Sequence, residues 1–263
     1  MRSKFSGKKK HLESARSPEW IYGINPVFEA LRAKRDIKAV YISPGRHEKM
    51  PQIMREAEIR GIPVENSDSD FFDSTFPKGH QGVAARVLQK SYMSLDDLLK
   101  IPSGKNETPL FVILDCIEDP RNFGAILRSV DASGAHGVVI QAYRSASLGP
   151  EVSKASAGAV EHVPVAMVTN IKHALRRMKD EGITVLGAEA DAKTSLWEMD
   201  LTVPLCIVIG SEGRGVRKTV MEHCDGVANL PMRGKINSLN VSVAAGIILF
   251  EALRQRFIKK ELV

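Results

Sequence analysis

Apolar and polar positions along this chain follow two rhythms, one before and one after about residue 109. In the first stretch the apolar runs are short and broken. Asn25–Pro26 reads as a helix cap followed by proline at the first helical position, and Val27, Ala30 and Leu31 then form a stripe. The pattern predicts a strand over Lys38–Ile42, a turn at Pro44–Gly45, a helix over Gln52–Arg60 stopped by Gly61, and a short strand at Ile62–Val64. A further strand is predicted over Gly82–Leu88, where Val83, Ala85 and Val87 alternate. A short helix over Ser94–Lys100, with Ser94 as its cap, leads into residues 101–109, which carry turn formers without periodicity.

From Leu110 the strands are apolar throughout and alternate with helices: Leu110–Leu114, Gly137–Ile140, Val163–Val168, Ile183–Leu186, Leu205–Ile209 and Gly226–Leu230. Continuous apolar strands between helices predict an α/β domain whose mostly parallel sheet is covered on both faces. The last helix is predicted over Ser238–Arg256. Its middle is apolar nearly all round, with Val243, Ile247, Phe250 and Phe257 near helical spacing, which predicts deep burial. The implied organisation is a tail over 1–18, a small α/β unit over 19–93, a linker over 94–109 and the parallel-sheet domain over 110–263.

Composition alters this picture little and charge alters it more. The chain is 43% hydrophobic and 26% charged, as a globular protein is. No apolar run is long enough to span a bilayer, so no membrane association is expected. The net charge is +6, and residues 1–17 hold six of the 37 basic side chains against one of the 31 acidic ones, leaving the remainder nearly neutral. Such a tail has too little apolar surface to fold alone. A phosphate polymer suits it, because neutralised phosphates release counterions; a plain solvated tail and a targeting segment stay open as alternatives. Cys116, Cys206 and Cys224 are sparse, odd in number and without CxxC spacing, which argues against a disulfide framework and a structural zinc site and fits a reducing cytoplasm. His223–Cys224 is the one metal-like adjacency and has no partner cluster, so no metal is expected; His136 and His162 read as incidental.

Ligands of an open parallel sheet bind at the carboxyl ends of its strands. Three polar, Gly-containing segments fall there. In the first, from Asp115 to Arg128, Asp119 can cap and Pro120 can open a helix whose stripe is Phe123, Ile126, Leu127 and Val130. At roughly 100° per residue, Asn122 and Arg128 fall off that stripe and are free to face a cleft, or simply solvent. The second is Gly210-Ser-Glu-Gly-Arg-Gly215. Its glycines have Walker spacing, yet Val216–Arg217 stands where Lys-Ser/Thr is required, and GxGxxG is absent. A carboxylate, Glu212, at its centre repels phosphate and suits a cationic or neutral ligand, unless the segment is a plain turn. The third, Leu230 to Asn240, is basic through Arg233 and Lys235 and delivers Ser238 and Asn240 to the start of the last helix; Asn237 or Ser238 could equally be a simple cap. HExxH and GxSxG are absent.

Taken in order, Asp-Pro-Arg-Asn-Phe-Gly-Ala-Ile-Leu-Arg (119–128), Ile-Val-Ile-Gly-Ser-Glu-Gly-Arg-Gly (207–215) and Leu-Pro-Met-Arg-Gly-Lys-Ile-Asn-Ser-Leu-Asn-Val-Ser-Val-Ala-Ala-Gly-Ile (230–247) resemble the three motifs of the SpoU branch of the SPOUT methyltransferases, which methylate RNA ribose 2′-hydroxyls. The resemblance covers about residues 109–257. Ile21–Leu88, opening on Tyr22-Gly-Ile-Asn-Pro-Val, resembles the RNA-binding domain appended in that family, and the two-domain arrangement is most similar to the guanosine 2′-O-methyltransferases of 23S ribosomal RNA.

The resemblance implies a trefoil knot near the carboxyl end, a homodimer whose active site uses both subunits, and S-adenosylmethionine as methyl donor. It places Ile209, Gly210, Leu230 and Leu239, together with Leu186 and Gly187, around the donor, and Asn122, Arg128, Glu212, Ser238 and Asn240 at the catalytic positions. A guanidinium stays protonated, so Arg128 is expected to clamp a substrate phosphate and offset oxyanion charge. Asn122, Ser238 and Asn240 are expected to orient the hydroxyl and the loop, with Glu212 fixing Asn122 or a partner-subunit group. The alternatives are a transfer-RNA methyltransferase of the same family, a non-catalytic RNA-binding ribosome-assembly factor, and a nucleotide-dependent α/β enzyme.

Overall fold

The computed structural model describes residues 17–44, 48–235 and 238–261. Most of the basic tail, the end of the predicted Pro44–Gly45 turn, and the candidate cap Asn237 lie outside the described residues.

The amino-terminal unit comprises β1 (Pro18–Tyr22), α1 (Ile24–Arg32), β2 (Ile37–Ile42), α2 (Met50–Ile59), β3 (Val64–Asn66), α3 (Ser69–Thr75) and β4 (Val83–Leu88). Its four strands run in the order β1-β4-β2-β3, with β4 antiparallel to both neighbours and β2 parallel to β3. Alternation along the strands divides the side chains between two faces. Ile21, Val40, Val83, Ala85 and Val87 pack under α1 and α2, while Tyr22 and Ala84 meet Phe72 and Phe76 near α3. The start of α1 differs from expectation. Gly23, at φ 97°, precedes the helix and Asn25 lies inside it, its amide oxygen accepting from Lys49. A backbone that turns with positive φ favours glycine. The strand predicted at Ile62–Val64 forms two residues later. β1 and α3 were not predicted, because a five-residue strand opening on proline and a seven-residue helix carry little periodic signal.

Two short helices, α4 (Leu95–Leu99, with the Ser94 hydroxyl accepting from Asp97 N) and α5 (Ile101–Lys105), follow. The segment expected to lack structure therefore holds a turn of helix. Pro102 near its start is tolerated, since early helical N–H groups lack partners anyway.

The second unit holds β5 (Leu110–Asp115), α6 (Pro120–Ser133), β6 (Gly137–Gln141), α7 (Pro150–Ala155), β7 (Val165–Val168), α8 (Ile171–Asp180), β8 (Thr184–Ala188), β9 (Thr194–Ser195), β10 (Leu205–Gly210), α9 (Lys218–Met221), β11 (Gly226–Asn229) and α10 (Val241–Glu261). Its seven strands are ordered β7-β6-β5-β10-β8-β11-β9 and every pairing is parallel. Because β8 lies between β10 and β11, the chain crosses β8 to reach β11. Val112, Leu114, Ile140, Leu186, Ile207 and Ile209 face α6 and α10; Phe111, Ile113, Val139, Val185 and Val208 face α4 and α8. Both faces are covered, as continuous apolar strands require.

One prediction about α10 is corrected. Val241, Ala245, Ile248, Leu249 and Ala252 are buried, but the stripe used to argue burial is exposed: Val243 50%, Ile247 37%, Phe250 48% and Phe257 58%. Periodicity marks an apolar face without saying whether its own chain covers it.

The two units are joined by charge. Arg35 is held by Glu19 at 2.5 Å and by the buried Glu161 at 2.6 Å, while two of its nitrogens donate to Leu88 O. His162 meets Glu29 at 2.8 Å across the same junction, and the buried His136 accepts from Leu110 N and pairs with Glu107. Both histidines thus tie elements together rather than being incidental. Among the described residues no helix is long and apolar enough to cross a membrane.

Candidate active site

The three polar segments converge at the carboxyl edge of the seven-stranded sheet. β10 ends on Gly210, and the next five residues fold back. Ser211 N donates to Gly215 O and Gly215 N to Ser211 O, leaving Glu212, Gly213 and Arg214 as the tip, with Gly213 at φ 77°. A Cβ on Gly210 would lie 2.0 Å from the Gly215 carbonyl carbon, so the fold-back needs glycine there.

Glu212 at that tip meets residues from two other elements. Asn240, immediately before α10, donates through Nδ2 to Glu212 Oε1 at 2.6 Å and to Asn122 Oδ1 at 3.0 Å. Its Oδ1 accepts from Ser242 N at 2.9 Å, which makes Asn240 the cap of α10. One asparagine therefore closes a long helix and joins the first and second segments. Asn122 reaches this point because Asp119 caps α6, accepting from Arg121 N, and Pro120 opens it. The α6 stripe, Phe123, Ile126, Leu127 and Val130, is buried as predicted, and Gly124 packs where a Cβ would stand 2.5 Å from Ala155 Cβ.

Beside this chain of amides lies a cavity of about 460 Å³. Ile209, Leu196, Leu230, Leu239, Val241 and Ile248 give it apolar walls, while Glu189, Asp191 and Glu212 outnumber Arg214 among its charged residues. Glu189 leans on the motif-two loop, where a Cβ on Gly215 would lie 2.5 Å from its Oε2. The cavity size is ordinary for a small-molecule site, and the balance of charge favours a cation.

Of the expected donor-binding residues, Ile209, Gly210, Leu230 and Leu239 line the cavity. Leu186 and Gly187 do not. Leu186 is buried in the core, and a Cβ on Gly187 would strike Met221 Sδ at 2.6 Å on the far face of the sheet; Ala188 and Glu189, one and two residues on, form the wall instead. Of the expected catalytic residues, Asn122, Glu212 and Asn240 meet, and Ser238 lines the cavity. Glu212 holds Asn122 through Asn240 rather than directly. Arg128 is exposed on α6, outside the cavity wall, with no hydrogen bond or ion pair among the described residues.

Sequence reasoning missed the clamp beneath the site. Asp115, fully buried at the end of β5, accepts from Arg217 N at 2.9 Å and Nε at 2.8 Å and pairs with its NH2 at 2.6 Å. Arg217 also donates to Gln141 at the end of β6. The bonds to Asp115 raise the Arg217 pKa, and with the one to Gln141 they bolt the ends of β5, β6 and the loop after β10 together. The available signal was a carboxylate ending an otherwise apolar strand, since a buried charge needs a partner. Glu189 and Asp191 carried no local signal.

The cysteines stay out of the chemistry. Burial pushes the Cys116 and Cys206 thiols up, and that of Cys224 up to about 11. Among the described residues no group of three His, Cys, Asp or Glu is placed to hold a metal.

Comparison with known proteins adds independent findings. Residues 109–250 match the model of the SpoU rRNA methylase family, and residues 20–93 match that for RNA 2′-O ribose methyltransferase substrate binding. The chain is 43% identical over 239 residues to YacO of Bacillus subtilis, named a putative TrmH family tRNA/rRNA methyltransferase, covering 90% of this chain and 96% of that one. It is 38% identical over 248 residues to the 23S rRNA (guanosine-2′-O-)-methyltransferase RlmB of Pseudomonas putida, covering 92% and 98%. Among solved structures it is similar to the SpoU methyltransferase AviRb of Streptomyces viridochromogenes in complex with AdoMet, with a TM-score of 0.76 and 25% identity over 91% of each chain.

Proposed function

We propose a reaction from one premise: the chain belongs to the SpoU rRNA methylase family. In our reading it moves a methyl group from S-adenosylmethionine to the 2′-hydroxyl of a guanosine in 23S ribosomal RNA, in the cytoplasm. The observation that carries the reading is the carboxylate-bearing cavity set beside the Asn122–Asn240–Glu212 chain.

When bound, S-adenosylmethionine supplies an electrophilic methyl on a sulfonium cation. The residues present fit that group. Glu189, Asp191 and Glu212 attract positive charge, the apolar walls accept a flat ring, and the fold-back at Gly210 brings backbone close. Both Nδ2 hydrogens of Asn240 are engaged, which fixes Asn122 with its own amide nitrogen left to orient the ribose hydroxyl. Ser238, in the cavity wall, orients the same group. Holding the hydroxyl in line can supply about 7–11 kcal/mol of the barrier. Arg128 grips a phosphate and offsets developing oxyanion charge.

A second copy completes this site in our reading. Arg128 stands apart from the amide chain of its own subunit, and the stripe Val243, Ile247, Phe250 and Phe257 leaves an apolar face of α10 exposed. A two-fold dimer across that face would cover it. Ribosomal RNA is preferred to transfer RNA because the substrate-binding match at 20–93 accompanies the methylase match and the RlmB likeness spans both.

The test is methyl transfer to RNA from a strain lacking the gene, with the large-rRNA and tRNA fractions assayed separately and the ribose position mapped. Transfer to a guanosine of the large rRNA is expected. Asn122→Ala and Arg128→Ala should each lower turnover roughly 100-fold while calorimetric donor affinity stays near wild type. Wild-type turnover in either variant, or a purified protein that does not retain the donor, overturns the reading.

A further inference from the structure

We propose that the loop between β6 and α7 is a docking shelf for the RNA strand beside the target ribose, with Tyr143 stacking on an unpaired base and Arg144 holding a phosphate. The proposal rests on the reading above and adds a surface on the methylase unit itself.

Position comes first. The cavity occupies the β10, β8 and β11 side of the sheet edge. On the other side Gly210 pairs with Asp115 at the end of β5, and Leu114 pairs with Ile140 near the end of β6. Neighbouring strands lie about 4.8 Å apart, so β6 ends roughly 10 Å from the end of β10 and one strand from the loop that delivers Asn122. The ends of β5 and β6 therefore lie beside the hydroxyl position, on the side of the edge that the cavity leaves open.

What stands there is unusual for a plain turn. Tyr143 is 74% exposed, more than any other large apolar side chain among the described residues. Arg144 adopts φ 58°, in the left-handed region that favours glycine and that six non-glycine residues occupy among the described residues, and it makes no hydrogen bond or ion pair among them. Such strain persists where the surroundings over-determine it, and it gathers at functional sites. The surroundings do so here. Ala142 N donates to Val168 O at 2.9 Å, Ala146 N to Ile117 O at 2.8 Å, and Leu148 N to the Tyr92 hydroxyl at 2.9 Å, while Gln141 accepts from Arg217. An aromatic ring and a cation are thus held outward on a pinned loop that is bonded to the motif-one loop. Arg121, with 87% of its side chain exposed and its guanidinium paired with Asp119 at 3.3 Å, stands at the start of α6 beyond that loop.

The chemistry selects the occupant. Unpaired RNA bases stack on aromatic rings and guanidinium planes, whereas a duplex offers no open base face. The cavity's acidic residues would repel phosphate; the free cation on the shelf attracts it. The shelf therefore selects a target flanked by unpaired nucleotides.

The test measures methyl transfer and RNA binding with large rRNA and tRNA from the deletion strain, and donor affinity by calorimetry, on four full-length proteins. Tyr143→Ala should raise the KM for the methylated RNA about 10-fold, the loss expected of one stacked base. Tyr143→Phe should restore it. Arg144→Gly, which suits the positive φ and removes the cation, should weaken RNA binding several-fold and flatten its salt dependence by about one phosphate contact. Donor affinity should match wild type throughout, and no variant should be less thermally stable than wild type, Arg144→Gly being equal or slightly higher as its positive φ is relieved. A wild-type KM in Tyr143→Ala, or a change in self-association in place of RNA affinity, overturns the shelf alone. Wild-type protein that methylates neither fraction overturns the functional reading and the shelf with it.

Discussion

The carboxyl edge of the large sheet has two unlike halves. The half over β8, β10 and β11 is enclosed: glycine lets the Gly210–Gly215 loop fold against its own strand, and Glu189, Asp191 and Glu212 give the cavity a negative balance. The half over β5 and β6 is open: Arg121, Arg128, Tyr143 and Arg144 face outward there, with Glu118 exposed beside them and Asp119 paired to Arg121. Enclosure with negative charge suits a small cation. Openness with positive charge and an aromatic ring suits a phosphate polymer. The two halves meet at Asn122, Asn240 and Glu212, where the transferred group would pass from one to the other. Beneath both, the ion pair of Asp115 with Arg217 joins the end of β5 to the segment after β10.

Breaking that pair should have the largest effect, because it supports both halves. Asp115→Ala leaves the Arg217 guanidinium without its carboxylate and should cost about 3 kcal/mol, the lower end for a buried pair since Arg217 is partly exposed. Thermal unfolding should fall by roughly 6–12 °C, with donor and RNA affinity both impaired. A variant as stable as wild type would show that the clamp is dispensable. Gly210→Ala should separate the halves. A methyl group cannot fit 2.0 Å from the Gly215 carbonyl carbon, so the loop must move and donor affinity should fall roughly 100-fold, with RNA affinity retained. Equal loss of both affinities would mean that the halves are one site. The smallest effect should come from salt. Between about 50 and 200 mM, RNA affinity should fall about 20-fold if three phosphates are neutralised, and donor affinity should change less than about 2-fold. Parallel salt responses would remove the distinction between the halves.

Much of this was legible in the residues. The six strands predicted from Leu110 onward appear within two residues of their predicted ends, because an apolar run bounded by turn formers is a local signal; β9, two residues long and polar, carried no such signal and was not predicted. The α6 stripe and the Asp119 cap are likewise local. Where prediction slipped, a non-local fact decided. Gly23 rather than Asn25 precedes α1, because the chain leaving β1 turns with positive φ. Leu186 and Gly187 fall short of the cavity, because strand ends at a sheet edge depend on the register of β8 against β10. The stripe on α10 proved exposed, because an apolar face looks the same whether its cover comes from its own chain or from elsewhere.

The sequence by itself determined the two sheets, the parallel character of the larger one, and the polar segments that end its strands. These follow from side-chain periodicity, capping chemistry and the conformational freedom of glycine, all of which act over a few residues. Only the tertiary structure decided that Asn240 would bond to Asn122 from 118 positions away and to Glu212 from 28. Strand order sets such meetings, and strand order is fixed by how β10 slots between β5 and β8, a competition among whole elements that no short stretch of residues encodes.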